Sequence, residues 1–253
     1  MISTVILTHN SRETLADTVR SVSWSDEVIV IDDYSMDGTE RIAEKYSVHV
    51  FKRHLDGDFS AQRNYGSEKA QGEWILFIDS DERVSGELQN EIRETISRQG
   101  THGEGIQGYF IKRNDIFFGR KLRFGETNNV LLLRLARKHA GIWKRPVHEY
   151  WDVQGATGKL RNPLIHTSHT DVAQFIKKIN NYTTINAEYL FINNVRANAL
   201  MIIFYPLAKF LWNYIFLLGF LDGTPGAVMA IMMSFHSFLT RAKLYMLSKN
   251  SNS

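Results

Sequence analysis

The chain has 253 residues, 43% hydrophobic and 23% charged, with only 4 prolines, so it can bury one substantial core and is not a disordered chain. It contains no cysteine, which excludes disulfide frameworks, thiolate catalysis and cysteine zinc sites and fits a reducing compartment. The net charge of +3 conceals a split: residues 1–104 hold 11 basic and 20 acidic side chains (net −9), and residues 105–253 hold 19 and 7 (net +12).

A basic second half suits an anionic partner, either nucleic acid or an anionic lipid or glycolipid surface, unless the imbalance is only drift on solvated faces. No signal peptide is expected, because the first apolar run, Val5 to Leu7, is short and is followed by His9, Asn10 and Arg12. The first third alternates strands and helices. Strands are predicted at Ser3 to Leu7, Glu27 to Ile31, Val48 to Phe51 and Glu73 to Ile78. Helices are predicted at Arg12 to Val22, Thr39 to Tyr46, Ser60 to Ala70 and Leu88 to Arg98. Short apolar strands separated by helices of about ten residues indicate a mostly parallel α/β sheet covered on both faces. Such sheets bind ligands at the carboxyl ends of their strands, so the polar residues just after each strand are the informative ones.

The glycine-rich stretch Gly100 to Gly108 reads as a link. Less regular strands follow at Gly108 to Lys112, Val130 to Leu135 and Gly141 to Trp143. From Val172 to Leu190, apolar residues at Phe175, Ile176, Ile179, Tyr182, Ile185 and Tyr189 mark an amphipathic helix. Apolar helices continue from Ala197, broken by the turn signal Asp222-Gly223-Thr224-Pro225-Gly226. Within the most apolar tract, Ala199 to Leu221, the residues Pro206, Lys209 and Asn213 interrupt a clean membrane span; Gly226 to Leu239 is too short for one.

Asp79-Ser80-Asp81 follows the strand Trp74 to Ile78 directly. Two carboxylates one residue apart at a strand end suit a shared Mg²⁺ or Mn²⁺ that keeps positions open for phosphate oxygens. Asp32-Asp33, at the end of the second strand, can accept from ribose hydroxyls and a pyrimidine N–H, while Asp37, Gly38 and Thr39 turn and cap the next helix. Thr8-His9-Asn10 either contacts a base or caps the helix after it. Arg63 suits a diphosphate, though a lone arginine also serves surface ion pairs.

Taken together, Val5-Ile6-Leu7-Thr8-His9-Asn10, Asp32-Asp33-x-Ser-x-Asp-Gly-Thr and Phe77-Ile78-Asp79-Ser80-Asp81-Glu82 resemble the family 2 glycosyltransferases with a GT-A fold. Gln62-Arg63-Asn64, Val147-His148-Glu149, Pro163-Leu164-Ile165-His166, Tyr182-Thr183-Thr184 and Gly219-Phe220-Leu221-Asp222-Gly223 are similar to the branch containing bacterial lipopolysaccharide inner-core β-1,4-glucosyltransferases. The resemblance covers essentially the whole chain. It implies a GT-A, Rossmann-like sheet with C-terminal apolar and amphipathic helices. It also implies a nucleotide-sugar half (1–104), an acceptor half (105–170) and a helical region (171–253) that contacts a membrane or a second subunit.

By the same resemblance, Thr8, Asn10, Asp32 and Asp33 hold the uridine of a UDP-sugar donor and Arg63 its diphosphate. Asp79 touches ribose or metal, Asp81 is the principal metal ligand and His166 completes the metal site. Single-displacement inversion needs a general base, for which Glu149 is the candidate, the alternative being an ion pair with Lys144 or Arg145. His148-Glu149 is not a zinc-protease motif, since Asp152 stands where the second histidine belongs. Arg123 to Asn129 departs from the tryptophan-rich basic loop of relatives, and that loop borders the acceptor. The activity implied is transfer of glucose from UDP-glucose to a lipid A-core heptose at the cytoplasmic face of the inner membrane. Phe204, Leu211, Trp212, Phe216 and Phe220, with Lys209, Arg241 and Lys243, either meet that membrane or form a helical core. A non-catalytic nucleotide-sugar scaffold and a sugar nucleotidyltransferase are the rivals, and a nucleic-acid binder is least favoured.

Overall fold

Every residue of β1 (Ile2–Thr8) is buried, as a strand covered on both faces must be. The structure, a computed structural model, describes residues 1–98, 105–167 and 172–250. The expected link at Gly100 to Gly108 therefore lies largely outside the described residues. The chain divides into two compact units, residues 1–114 with 130–167 and residues 115–129 with 168–253.

In the first unit β1 is followed by α1 (Leu15–Ser21), β2 (Glu27–Asp32), α2 (Thr39–Glu44), β3 (His49–Lys52), α3 (Phe59–Lys69) and β4 (Trp74–Asp79). Next come β5 (Glu82–Val84), α4 (Gly86–Arg98), the long β6 (Gly108–Phe117), whose end from Asp115 belongs to the second unit together with β7 (Arg120–Lys121), and then β8 (Leu131–Arg137). The remaining strands are β9 (Gly141–Lys144), β10 (Tyr150–Val153), β11 (Thr157–Lys159) and β12 (Leu164–Thr167). The main sheet runs β3-β2-β1-β4-β8-β6-β12-β5, parallel from β3 to β4 and antiparallel where β8 joins. A mixed α/β sheet with a parallel half is thus present as expected.

The two-residue period of the strands sorts the core. Ile6, Val30, Leu76 and Ile78 pack with Leu15 and Val19 of α1 and Leu88 and Ile92 of α4. Their neighbours Val5, Ile29, Ile31, Ile75 and Phe77 face the other way, into Trp143 and Trp151 of the β9–β10 ribbon and Phe59 and Tyr65 of α3. Each fully buried side chain of this size contributes about 1.5–3 kcal/mol. Gly66 lets α3 lie directly on β1: a Cβ there would stand 2.5 Å from Val5 Cγ1.

The second unit holds α5 (Val172–Ile192), α6 (Ala199–Leu211) and α7 (Thr224–Asn250), with a π-helical turn at Trp212–Phe216 and a 3₁₀ turn at Gly219–Asp222. Gly219 and Gly226 meet where any side chain would collide, since a Cβ on Gly226 would lie 2.0 Å from Gly219 O. The stretch Ala199–Phe216 has a mean hydropathy of 1.5 and is only 6% buried, and by length and composition alone it could cross a membrane. The interruptions noted in the sequence do not break it. Lys209 pairs with Glu126, Asn213 Oδ1 accepts from Glu126 N at 3.0 Å, and Ser234 Oγ donates to Pro206 O at 2.8 Å. These polar groups are thereby satisfied inside the helical unit.

Candidate active site

Parallel pairing brings three strand ends into one row. The β1–β2 register sets Thr8 beside Asp32, and the β1–β4 register sets Leu7 beside Asp79. Asp33 N donates to Thr8 O at 3.0 Å and Ser80 N to Leu7 O at 3.1 Å, so the segments after the strands stay tied together. Thr8, Asn10, Asp32, Asp33, Asp79 and Asp81 therefore lie along one carboxyl edge of the sheet.

The β1–β2 part of this edge is a network of turns. Buried Asp32 accepts from Ser35 N at 3.0 Å and Ser35 Oγ at 2.5 Å. Asn10, at a φ of +48°, donates from its backbone to Ser35 Oγ and accepts at Oδ1 from Met36 N at 2.9 Å. His9 Nδ1 donates to Asp33 O at 2.7 Å, and Asp33 Oδ1 accepts from Leu55 N at 3.0 Å. Asn10 thus joins two loops instead of capping α1. Asp37 accepts from Arg12 N and Thr39 N and so turns the chain into α2, whose N-cap position is taken not by Asp37 or Thr39 but by Gly38 at a φ of +91°. Thr8 Oγ1 is buried with no hydrogen-bond partner among the described residues, which makes it the most ligand-ready group of this part.

The β4 end is organised by arginine. Gln62-Arg63-Asn64 divides its labour along α3. Gln62 binds Arg53 through both amide atoms. Asn64 exchanges hydrogen bonds with the backbone of Trp143, at 3.0 and 2.9 Å, and so fastens α3 to β9. Arg63 lies between them, with its Cζ 4.8 Å from the Trp143 ring centroid. Its Nε donates to Glu149 Oε1 at 2.9 Å and its Nη2 to Asp79 Oδ1 at 2.7 Å. Nη1 is buried and has no acceptor among the described residues. Glu149 follows two residues in left-handed backbone, Arg145 at φ +74° and His148 at φ +54°. Such backbone persists where its surroundings hold it, which is common at functional sites. The ion pair considered from sequence, with Lys144 or Arg145, does not form through Lys144, which binds Asp152.

Arg134 is a site residue that motif reading missed. The β4–β8 pairing of Leu76 with Leu135 carries it to the strand end, where Nη2 donates to Asp79 Oδ2 at 2.7 Å. Its signal was present: an arginine inside the apolar run Leu131 to Leu135 is a buried charge that needs a partner. Glu82, fully buried on β5, lies 3.5 Å from the same Nη2 and accepts from Asp79 N at 3.0 Å. Partial burial works to raise the Asp79 carboxyl, but the charges of Arg134 and Arg63 outweigh it and hold it well below the usual carboxylate range. Burial pushes Glu82 upward against the pull of Arg134. Arg134 stays protonated because Asp79 and Glu82 more than offset its burial.

β5 reverses the chain after Asp81 and pairs antiparallel with β12, setting His166 opposite Glu82. Thr167 N donates to Asp81 O at 3.1 Å, and His166 Nε2 stands 3.3 Å from Asp81 Oδ2. Adjacent ligands about 2.1 Å from an octahedral ion lie roughly 3 Å apart, so this pair fits two positions of a hard divalent cation. No group of three or more His, Asp or Glu side chains placed to hold a metal ion occurs among the described residues. Asp79 has both oxygens engaged by guanidinium groups, Oδ1 by Arg63 and Oδ2 by Arg134.

The chain is 30% identical over 264 residues to an uncharacterized glycosyltransferase of Rickettsia felis, covering 96% of the chain and 89% of the relative. It is 26% identical over 259 residues to the lipopolysaccharide core biosynthesis glycosyltransferase LpsC of Rhizobium meliloti, covering 96% and 92%. Among solved structures it resembles Staphylococcus aureus TarS residues 1–349 in complex with UDP-GlcNAc, with a TM-score of 0.51, 15% identity, and 100% and 92% coverage. It also resembles Mycobacterium tuberculosis glucosyl-3-phosphoglycerate synthase in complex with Mn²⁺, UDP-glucose and phosphoglyceric acid, with a TM-score of 0.52, 17% identity, and 78% and 81% coverage. At these identities the structures establish a shared GT-A fold. The sequence model of glycosyl transferase family 2 matches residues 3–157, more than half of the chain, and the protein belongs to that family.

Proposed function

We propose that the protein is an inverting transferase that moves glucose from UDP-glucose to a heptose of the lipopolysaccharide core, working at the cytoplasmic face of the inner membrane. The observation that carries the reading is the bridge from Glu149 through Arg63 to Asp79, two residues before Asp81, which meets His166. It supports a reading in which Glu149 accepts the proton and Arg63 donates to the diphosphate, because one guanidinium holds Glu149 and Asp79 together. The likeness to LpsC supports the lipopolysaccharide acceptor, and the nucleotide sugars bound by the two solved structures support the donor.

In this reading Thr8, Asn10, Asp32 and Asp33 hold the uridine, with Thr8 Oγ1 gaining the partner it lacks. Arg63 Nη1 donates to the diphosphate. Asp81 and His166 hold Mg²⁺ or Mn²⁺, which when bound offsets charge on the departing diphosphate. Glu149, with Oε1 fixed by Arg63, takes the acceptor hydroxyl proton at Oε2. The acceptor oxygen bonds to the anomeric carbon as the bond to UDP breaks, and the configuration inverts. Apolar residues of α6, exposed over most of its length, rest on the membrane that carries the acceptor.

The test supplies purified protein with Mn²⁺, a panel of UDP-sugars and a heptose-terminated core glycolipid. Release of UDP with formation of a β-linked glucosyl product is expected. Pyrophosphate release from UTP and a sugar phosphate would instead identify a nucleotidyltransferase. Tight UDP binding with no turnover on any acceptor would identify a scaffold.

A further inference from the structure

The helical unit holds a cavity of its own, about 490 Å³, lined by Asn186 of α5, by Tyr205, Lys209 and Trp212 of α6 and its π-helical turn, and by His236 and Arg241 of α7. Three features give it a chemical preference. Asn186 is 8% exposed, and its Oδ1 is buried with no partner among the described residues, so the floor offers an acceptor to a ligand hydroxyl. Arg241 lies over Tyr205, 4.5 Å from the ring centroid, and no carboxylate pairs with it among the described residues. Lys209, by contrast, is already balanced by Glu126. The cavity therefore presents one uncompensated guanidinium, one unmet acceptor and two aromatic walls.

The faces of α6 supply the ligand's setting. Tyr205, Ala208, Lys209 and Trp212 recur at helical spacing on the cavity side. Leu200, Ile203, Phe204 and Leu207 occupy the opposite side, each more than half exposed. An interfacial helix sinks about 5–10 Å into the headgroup boundary, and a helix with its side chains is about 10–12 Å across. With its apolar side down, α6 holds the cavity at the depth of the lipid phosphates.

We propose that this cavity binds the headgroup of an anionic phospholipid bearing both a phosphate and a free hydroxyl, with Arg241 on the phosphate and Asn186 Oδ1 accepting from the hydroxyl. The inference rests on the reading that the chain works at a membrane surface, and it specifies what that surface must display. Phosphatidylglycerol has the required head. Phosphatidic acid has the phosphate without the headgroup hydroxyl, and phosphatidylcholine carries no net charge.

The full chain is sedimented with vesicles of phosphatidylcholine alone, or mixed with phosphatidylglycerol or phosphatidic acid. The comparison variants are Arg241→Gln and Lys177→Gln, the latter an exposed residue of α5 with the same change in charge. Phosphatidylglycerol vesicles are expected to bind best, and R241Q to weaken that binding about tenfold, as loss of a hydrogen bond to a charged group does. K177Q should change it by less than about twofold. A short-chain phosphatidylglycerol should change the Trp212 fluorescence of the wild type saturably and not that of R241Q, which reports the cavity independently of the membrane. Equal losses in R241Q and K177Q would overturn the headgroup site while leaving membrane contact intact. Binding to none of the vesicles would overturn both. A glycerol phosphate that matches the short-chain lipid at equal concentration would assign the cavity to a soluble phosphate, and self-association that buries Phe204 without lipid would assign the face to a second copy.

Discussion

Arg63 donates from Nε to Glu149 Oε1 at 2.9 Å from a side chain only 2% exposed. Because Asn64 fastens α3 to β9 and Gly66 presses α3 onto β1, the guanidinium has little room to leave this position. The carboxylate proposed as the base is therefore oriented by a rigid partner, while the same guanidinium keeps Nη1 in reserve.

Glu149→Gln separates orientation from proton transfer. Glutamine keeps an oxygen to accept from Arg63 but no longer takes a proton, so folding should be preserved. Transfer should fall by about 10²–10⁴-fold, the range for loss of a general base. UDP affinity in the presence of metal, measured by calorimetry, should stay within about twofold. A parallel loss of affinity and turnover would move Glu149 from chemistry to donor binding.

Arg63→Lys preserves charge but not the planar fork that reaches Glu149 and Asp79 together. The cost expected in urea unfolding is about 2–4 kcal/mol, somewhat below that of breaking a fully buried pair, because Asp79 retains solvent contact. It should appear as a lower midpoint with an unchanged slope. Wild-type stability in R63K would mean that the two carboxylates do not depend on this bridge.

Asp79, Asp81 and His166 should separate by readout, although sequence reading grouped them. Asp81→Ala should abolish Mn²⁺ binding in the presence of UDP, and His166→Ala should weaken it at least about tenfold, with activity restored by excess metal and removed by chelators. Asp79→Asn should keep most of its metal affinity and lose stability instead, since it removes the charge shared by Arg63 and Arg134. If D79N and D81A lose metal alike, Asp79 is a ligand after all.

These contrasts mark where sequence reading reaches and where it stops. The parallel strands were legible because each is a short apolar run ended by polar residues, as in Trp74 to Ile78 before Asp79. The turn at Asp37 to Thr39 was legible because its hydrogen bonding is local. β5 and β12, of three and four residues, carry no period of their own. Only their long-range pairing shows that His166 meets Asp81. The sequence sets Glu149 near Lys144 and Arg145, yet its partner Arg63 comes from another element 86 positions away. Arg134 is legible in principle, since a charge within the apolar run Leu131 to Leu135 calls for a buried partner.

Asp222 also exceeds its sequence reading as part of a turn. Its carboxylate accepts from Arg123 N at 3.0 Å and Phe124 N at 2.9 Å, while Leu217 O accepts from Gly125 N at 2.9 Å and Asn213 Oδ1 from Glu126 N at 3.0 Å. Residues 123–126 thus hang from the turns between α6 and α7. Asp222→Ala removes the charge-assisted pair, a local loss of about 1.5–3 kcal/mol. Hydrogen exchange at the amides of Arg123 and Phe124 should accelerate by roughly 10–100-fold. Unchanged exchange at both amides would show that Asn213 and Leu217 suffice to hold the segment.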